Sequence, residues 1–103
     1  MTLLYLVRHG QTEWSKSGQH TSITDLDLTD AGVAQAESLH SRLDPAEFGL
    51  VLSSPRLRAR RTAELAGFTD YEIEEDLAEW YYGDFEGMTS AQIREKHHGW
   101  RIW

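Results

Sequence analysis

Leu3-Leu4-Tyr5-Leu6-Val7-Arg8-His9-Gly10-Gln11-Thr12-Glu13-Trp14 decides how the 103-residue chain is read. Five apolar residues run unbroken into Arg-His-Gly. Such a run predicts a strand buried on both faces, in a sheet covered by helices on each side. Sheets of that kind bind ligands beyond the carboxyl ends of their strands, where Arg8 and His9 stand. A cation and an imidazole beside a glycine that lets the backbone approach closely suit a phosphate. A strand that simply ends in a polar turn would read the same way, so the test lies in the rest of the chain.

The polar segment Gln11 to Asp27 has no clean period and reads as an active-site loop, with a short helical turn near Glu13 to Ser17. Thr29 caps a helix with Asp30 in its first turn. Val33, Ala36, Leu39 and Leu43 carry its apolar stripe and Pro45 marks its end. Phe48 to Ser53 is a second candidate strand. Behind it, Ser54 suits an N-cap, Pro55 a first helical position and Gly67 a C-terminal cap. A strand feeding a helix N-terminus favours an anion there. Positive charge in that first turn opposes the helix dipole, so helix stability explains Arg56 and Arg58 poorly, and Arg58 reads as functional. Arg60 and Arg61 read as solvated charges, Arg60 standing four residues before Glu64.

Tyr71 to Glu75 alternates as a short strand with one polar face. From Leu77 to Met88, aromatics and glycines interleave with acids, as in an ordered loop closing over a site. A carboxyl held against Trp80 and Tyr81 would be partly desolvated and raised toward use as a general acid. Glu79, Asp84 and Glu86 read equally as surface acids, the usual fate of a carboxylate. Thr89 opens a last helix, Ser90 to Lys96. The closing run Gly99-Trp100-Arg101-Ile102-Trp103 is unusually apolar for a terminus and predicts a chain cut mid-domain.

Composition bounds the rest. With 40% hydrophobic and 26% charged residues, the chain reads as one small soluble domain. No apolar run approaches the roughly 20 residues of a membrane span, and no leader pattern is visible. The absence of cysteine removes disulfides and thiolate metal sites, and fits a cytoplasmic setting. A net charge of −7 argues against nucleic-acid and anionic-membrane partners. Arg56, Arg58, Arg60 and Arg61 nevertheless cluster, whereas Asp70 to Glu86 holds eight acids and no Lys or Arg. A local cationic patch in an acidic protein suits one small anion.

Taken together, these segments resemble the amino-terminal part of a histidine phosphatase, the superfamily that includes the phosphoglycerate mutases. Arg8-His9-Gly10 after an apolar strand is similar to its signature. Ser53-Ser54-Pro55 leading to Arg58-Ala59 and Thr62-Ala63 is similar to its second arginine motif, and Leu77-x-Glu79 with Tyr82-Gly83 and Glu86-Gly87 to its acid-bearing loop. The longer strings around Arg8 and Arg58 resemble the sedoheptulose bisphosphatase-like branch. The resemblance implies a three-layer α/β/α fold of which residues 1–103 are the amino-terminal part, truncated before its later strands and helices. It also implies a phosphatase of small phosphorylated metabolites, sugar phosphates or bisphosphates, working without metal or other cofactor.

In that scheme His9 is the nucleophile that becomes a phosphohistidine, Arg8 and Arg58 bind the phosphoryl oxygens, and Glu79 protonates the leaving alkoxide. Gly10, Ser15, Thr21 and Ser22 are the further candidates for substrate contact. Ser15 stands where family members often have Asn, and Ser22 where they often have Gly. The family's second catalytic histidine follows a later strand that this chain does not reach. His97 and His98-Gly99 imitate that step but read as a solvated helix end, and His20 and His40 lack metal-ligand spacing. Two other readings stand beside the phosphatase: a mutase that returns the phosphoryl group to its substrate, and a non-catalytic phosphate-binding fragment. Self-association into a homo-oligomer stays open.

Overall fold

A strand–helix–strand unit organises the structure, a computed structural model that describes residues 3–101. Strand β1 (Leu52–Ser53) pairs in parallel with β2 (Glu72–Ile73), and helix α3 (Leu57–Leu65) connects them. Parallel pairing requires such a crossover, so this unit is α/β in kind. Leu52 faces Glu72 and Ser53 faces Ile73. The Glu72 N–H donates to the Val51 carbonyl at 3.0 Å and the Glu74 N–H to that of Ser53 at 2.8 Å. Both strands lie inside the spans expected from sequence and are shorter than them.

The helices form where local chemistry calls for them. Helix α1 (Glu13–Ser17) starts in a reciprocal cap: the Ser15 N–H donates to Thr12 Oγ1 at 3.1 Å and the Thr12 N–H to Ser15 Oγ at 2.9 Å. Helix α2 (Asp30–Leu39) begins at Thr29, whose hydroxyl accepts the Gly32 N–H. It buries Ala36 and packs against α3. The predicted stripe runs one turn too far, for α2 ends at His40 and Leu43 lies in the following turn. Helix α4 (Ser90–Lys96) has a second reciprocal cap, between Thr89 and Gln92, and Ile93 anchors it with no exposed surface.

Two expectations are corrected. Leu3 to Val7 forms no strand pairing among the described residues and is exposed, Leu4 by 83% and Leu6 by 87%. An apolar run encodes a gain of about 1.5–3 kcal/mol per large side chain covered, but it does not supply the cover. Here only the edge-on approach of Tyr5 to Phe48, with ring centres 5.1 Å apart, ties the run to a neighbouring aromatic. Second, α3 does not start at Ser54-Pro55. Arg56 is its N-cap residue and offers no side-chain acceptor. The Asp25 carboxylate fills that role from the loop between α1 and α2, accepting the Leu57 N–H at 2.8 Å. The helix start expected to hold an external anion therefore already holds an internal one. Gly67 does stand just past the helix, at φ +98°, where the Phe68 N–H turns back to the Ala63 carbonyl. In the closing run, Ile102 and Trp103 lie outside the described residues.

Residues 9–12 are fastened between α2 and α3. The Gly10 N–H donates to Thr62 Oγ1 at 3.0 Å, and the Thr29 N–H donates to the Gln11 carbonyl at 2.9 Å. Gly10 and Gly32 meet backbone to backbone. A Cβ on Gly10 would sit 2.5 Å from the Gly32 carbonyl oxygen, and one on Gly32 would collide with the backbone of Gln11. Replacing a helical glycine by alanine ordinarily gains about 1 kcal/mol. At Gly32 the collision reverses the sign: Gly32→Ala should lower stability by about 1–3 kcal/mol in a chemical melt followed by circular dichroism. A gain would show that the two backbones can separate freely.

Candidate active site

The segment after Val7 delivers His9 to the space between the loop carrying Thr21 and the amino-terminal end of α3. A cavity of about 670 Å³ opens there, and Arg8, His9, Thr21, Arg58, Thr62 and Glu79 all line it. The remaining wall is largely apolar, from Leu4–Val7 on one side and Leu50–Leu52 on another. A smaller depression of about 270 Å³ around His40 to Glu47 lies apart from these residues.

His9 is oriented by its own neighbour. Its Nδ1 lies 2.7 Å from the Gly10 carbonyl oxygen. A carbonyl can only accept, so Nδ1 carries the proton and Nε2 keeps its lone pair. Burial lowers the His9 pKa from 6.5. The Gly10 hydrogen bond works against that, the Arg58 and Arg8 charges add to it, and Glu79 partly offsets them. The net result is an imidazole that is neutral at physiological pH, within the field of two cations and one carboxylate.

The two arginines differ. Arg8 is exposed. Arg58 is 3% exposed, and its guanidinium donates to the carbonyls of Thr24 at 3.0 Å, Ser22 at 3.2 Å and Thr21 at 3.4 Å. Burial lowers its pKa first and the Arg56 charge second, with Asp25, Glu86 and Glu79 opposing. Three of its five N–H donors are thus spent on the 21–24 loop. Arg61 pairs with Asp27 at 2.8 Å, and Arg60 bonds the Pro55 carbonyl rather than Glu64, whose carboxylate accepts from Tyr71.

Glu79 faces the cavity but is exposed, and Trp80 and Tyr81 are 55% and 69% exposed. The desolvating aromatic wall expected from sequence is therefore absent. The neighbouring aromatics pack among themselves, Trp80 edge-on to Tyr82 and Tyr82 tilted against the His20 ring at 4.8 Å.

The other expected contact residues are placed unevenly. Thr21 lines the cavity. Gly10 lies behind His9, bonded to Thr62. The Ser15 hydroxyl is committed to the α1 cap. Ser22 is 1% exposed; its hydroxyl donates to the Glu79 carbonyl at 2.6 Å and its N–H to the Glu86 carboxylate. His20 bonds Ser90, and His97 and His98 are exposed at the end of α4, with His97 edge-on to Phe85. Among the described residues no group of three or more His, Asp or Glu is arranged to hold a metal.

Sequence reasoning missed Asp25 and the structural use of Thr62. Asp25 caps α3 from 32 residues away, so nothing local announces it. Thr62 carried a signal: a threonine four residues after Arg58 in a helix can bond back to that carbonyl, and it does so at 2.7 Å while accepting from Gly10.

A buried arginine, a neutral imidazole with one nitrogen tied back and a carboxylate at one cavity suit the binding of a phosphoryl group. The comparisons with known proteins agree: the histidine phosphatase superfamily (branch 1) matches residues 4–103, and the chain belongs to it. It is 47% identical over 102 residues to an acid phosphatase of Mycobacterium tuberculosis, covering 97% of this chain and 50% of that protein. It is 42% identical over 122 residues to a sedoheptulose 1,7-bisphosphatase of Saccharomyces cerevisiae, covering 95% and 45%. A solved Mycobacterium tuberculosis structure superposes with a TM-score of 0.83 at 45% identity, over 92% of this chain and 50% of that one. The fold is therefore the α/β fold of this family, and the chain spans about half the length of the relatives it matches.

The imidazole assignment has a direct check. In a proton NMR titration His9 should show its inflection below 6.5, and Arg58→Met should move it upward by removing the larger of the two cationic effects. A His9 inflection at or above the ordinary histidine value would contradict the burial and charge argument.

Proposed function

We propose that this chain carries the phosphate-handling half of a metal-independent phosphatase acting on small phosphorylated metabolites, sugar phosphates or bisphosphates in particular. On this reading the 103 residues are the amino-terminal part of a single histidine phosphatase domain. The observation that carries the proposal is His9 itself: Nδ1 tied to the Gly10 carbonyl, Nε2 with its lone pair, and burial and two arginines keeping the ring neutral. His9 Nε2 attacks phosphorus as the bond to the leaving oxygen breaks, giving a phosphohistidine. Glu79 gives its proton to the departing alkoxide. Its carboxylate then takes a proton from the water that attacks phosphorus, releasing inorganic phosphate and restoring His9. Arg8 and the remaining donors of Arg58 meet the phosphoryl oxygens, where positioning and charge do most of the work.

The sugar-phosphate preference is supported by the yeast sedoheptulose bisphosphatase among the relatives. A mutase reading has support of its own: the chain is 37% identical over 112 residues to a 2,3-bisphosphoglycerate-dependent phosphoglycerate mutase of Methylocella silvestris. The two readings share every step up to the phosphohistidine and part at the acceptor, water or the bound substrate. No helix of the described residues is long and apolar enough to cross a membrane.

The protein that carries this chain should release phosphate from sedoheptulose 1,7-bisphosphate, and His9→Ala should reduce release to background. Glu79→Gln should slow it by about 10²–10⁴-fold. Isomerisation of 3-phosphoglycerate without phosphate release would favour the mutase, and undiminished turnover by His9→Ala would remove the nucleophile assignment.

A further inference from the structure

Ser22, in the 21–24 loop, holds both ends of the stretch from Glu79 to Glu86. The Ser22 hydroxyl donates to the backbone carbonyl of Glu79 at 2.6 Å. Its backbone N–H donates to the Glu86 carboxylate, 3.0 Å from Oε1 and 2.9 Å from Oε2, and the Thr24 N–H adds a third contact at 3.0 Å from Oε2. Glu79 and Glu86 are seven residues apart, and the aromatic and glycine-containing stretch between them closes on a single buried serine.

The Glu86 end is braced further. The Gly87 N–H donates to the His20 carbonyl and the His20 N–H to that of Met88, both at 2.8 Å, while the Gln19 side chain reaches the Gly87 carbonyl. The Glu79 end has less. Its backbone carbonyl accepts the Ser22 hydroxyl, and its exposed carboxylate accepts the N–H of its own neighbour Trp80. Arg58 grips the same 21–24 loop through its carbonyls, so cationic donors hold one side of the loop backbone and Glu86 the other. Burial pushes the Glu86 carboxyl up. The hydrogen bonds from Ser22 and Thr24, helped by Arg58, outweigh that and hold it below the ordinary carboxylate value. The clamp is thus built around a charged Glu86.

We propose that Ser22 and Glu86 are positioning residues for Glu79: the Glu86 carboxylate fixes the Ser22 backbone, and the Ser22 hydroxyl fixes the Glu79 main chain, so that the exposed carboxyl stays at the cavity where a leaving oxygen departs. The proposal rests on the reading of Glu79 as the proton donor. It accounts for a serine whose burial leaves it no surface for substrate, and for an acid that takes no part in the chemistry yet is more firmly held than the one that does.

Leaving-group dependence tests it. A p-nitrophenolate leaves with little help from an acid, whereas an alkoxide needs a proton. Values of kcat/KM, which report the steps up to transfer of the phosphoryl group, are measured for an alkyl phosphate and for p-nitrophenyl phosphate. Ser22→Ala removes the hydroxyl and leaves the backbone bonds to Glu86. It should slow the alkyl ester about tenfold more than the aryl ester, a fraction of the loss expected when the acid itself is removed. Glu86→Gln should bias the two esters in the same direction. It should also accelerate hydrogen exchange at the Ser22 and Thr24 amides, which is read without turnover. Equal losses on both esters in Ser22→Ala, or unchanged exchange in Glu86→Gln, would overturn the proposal. Glu79→Gln separates the two layers. If it discriminates strongly between the esters and Ser22→Ala does not, the positioning role alone falls; if it fails to discriminate, the acid assignment falls and the positioning role with it.

Discussion

The backbone contact between Gly10 and Gly32 is the constraint on which the candidate site depends. It lets residues 9–12 lie directly on the start of α2, closer than any side chain would allow. From there the Gly10 N–H reaches Thr62 on α3, and the Gln11 carbonyl accepts the N–H of the α2 cap residue. His9 is consequently one residue from a point fixed to two helices that pack on each other. Its orientation comes from nearby, because the Gly10 carbonyl that holds Nδ1 shares a peptide with the Gln11 N–H, which donates to Gln35 Oε1 on α2 at 2.9 Å.

The site is assembled by bonds between loops more than by regular structure. The two-residue strands contribute a frame for α3 but little coverage. The Arg58 contacts, the Glu86 contacts and the Asp25 cap all converge on residues 21–25, so that loop is held by charge-assisted bonds on both sides of its backbone. Such bonds are stronger than neutral ones but act only if each charge keeps its partner. A buried guanidinium stripped of its acceptors would cost several kcal/mol. Loop and arginine therefore support each other, and neither can be placed without the other.

This division explains what was legible in the sequence. The starts of α2 and α4 are readable because Thr29 and Thr89 each accept the N–H of the residue three positions on, within one turn of chain. The start of α3 is not, since its acceptor is Asp25 and no local pattern encodes a contact across 32 residues. Leu3 to Val7 is legible as an apolar run, but its burial is a property of whatever packs against it, and within these residues it is exposed. Arg8, His9, Arg58 and Glu79 were named from three short motifs, and all four line one cavity. The error at Glu79 is of the same kind as that at Leu3 to Val7: Trp80 and Tyr81 are adjacent in sequence, but they pack with other rings or face solvent. Adjacency in sequence did not amount to contact.

The order of causes acting on His9 bears on how such a site keeps working once it is filled. Arg8 and Arg58 both lower its pKa, but a bound phosphate dianion would answer their charge and remove much of that effect. Were the arginines the main reason for the neutral imidazole, binding would undo the neutral state that the proposed attack requires. Burial outweighs the effect of either arginine taken singly, however, and it does not depend on them. A ligand that excludes water deepens it. On the proposed reading the two arginines can therefore meet the phosphate while the burial of His9 continues to favour the free lone pair.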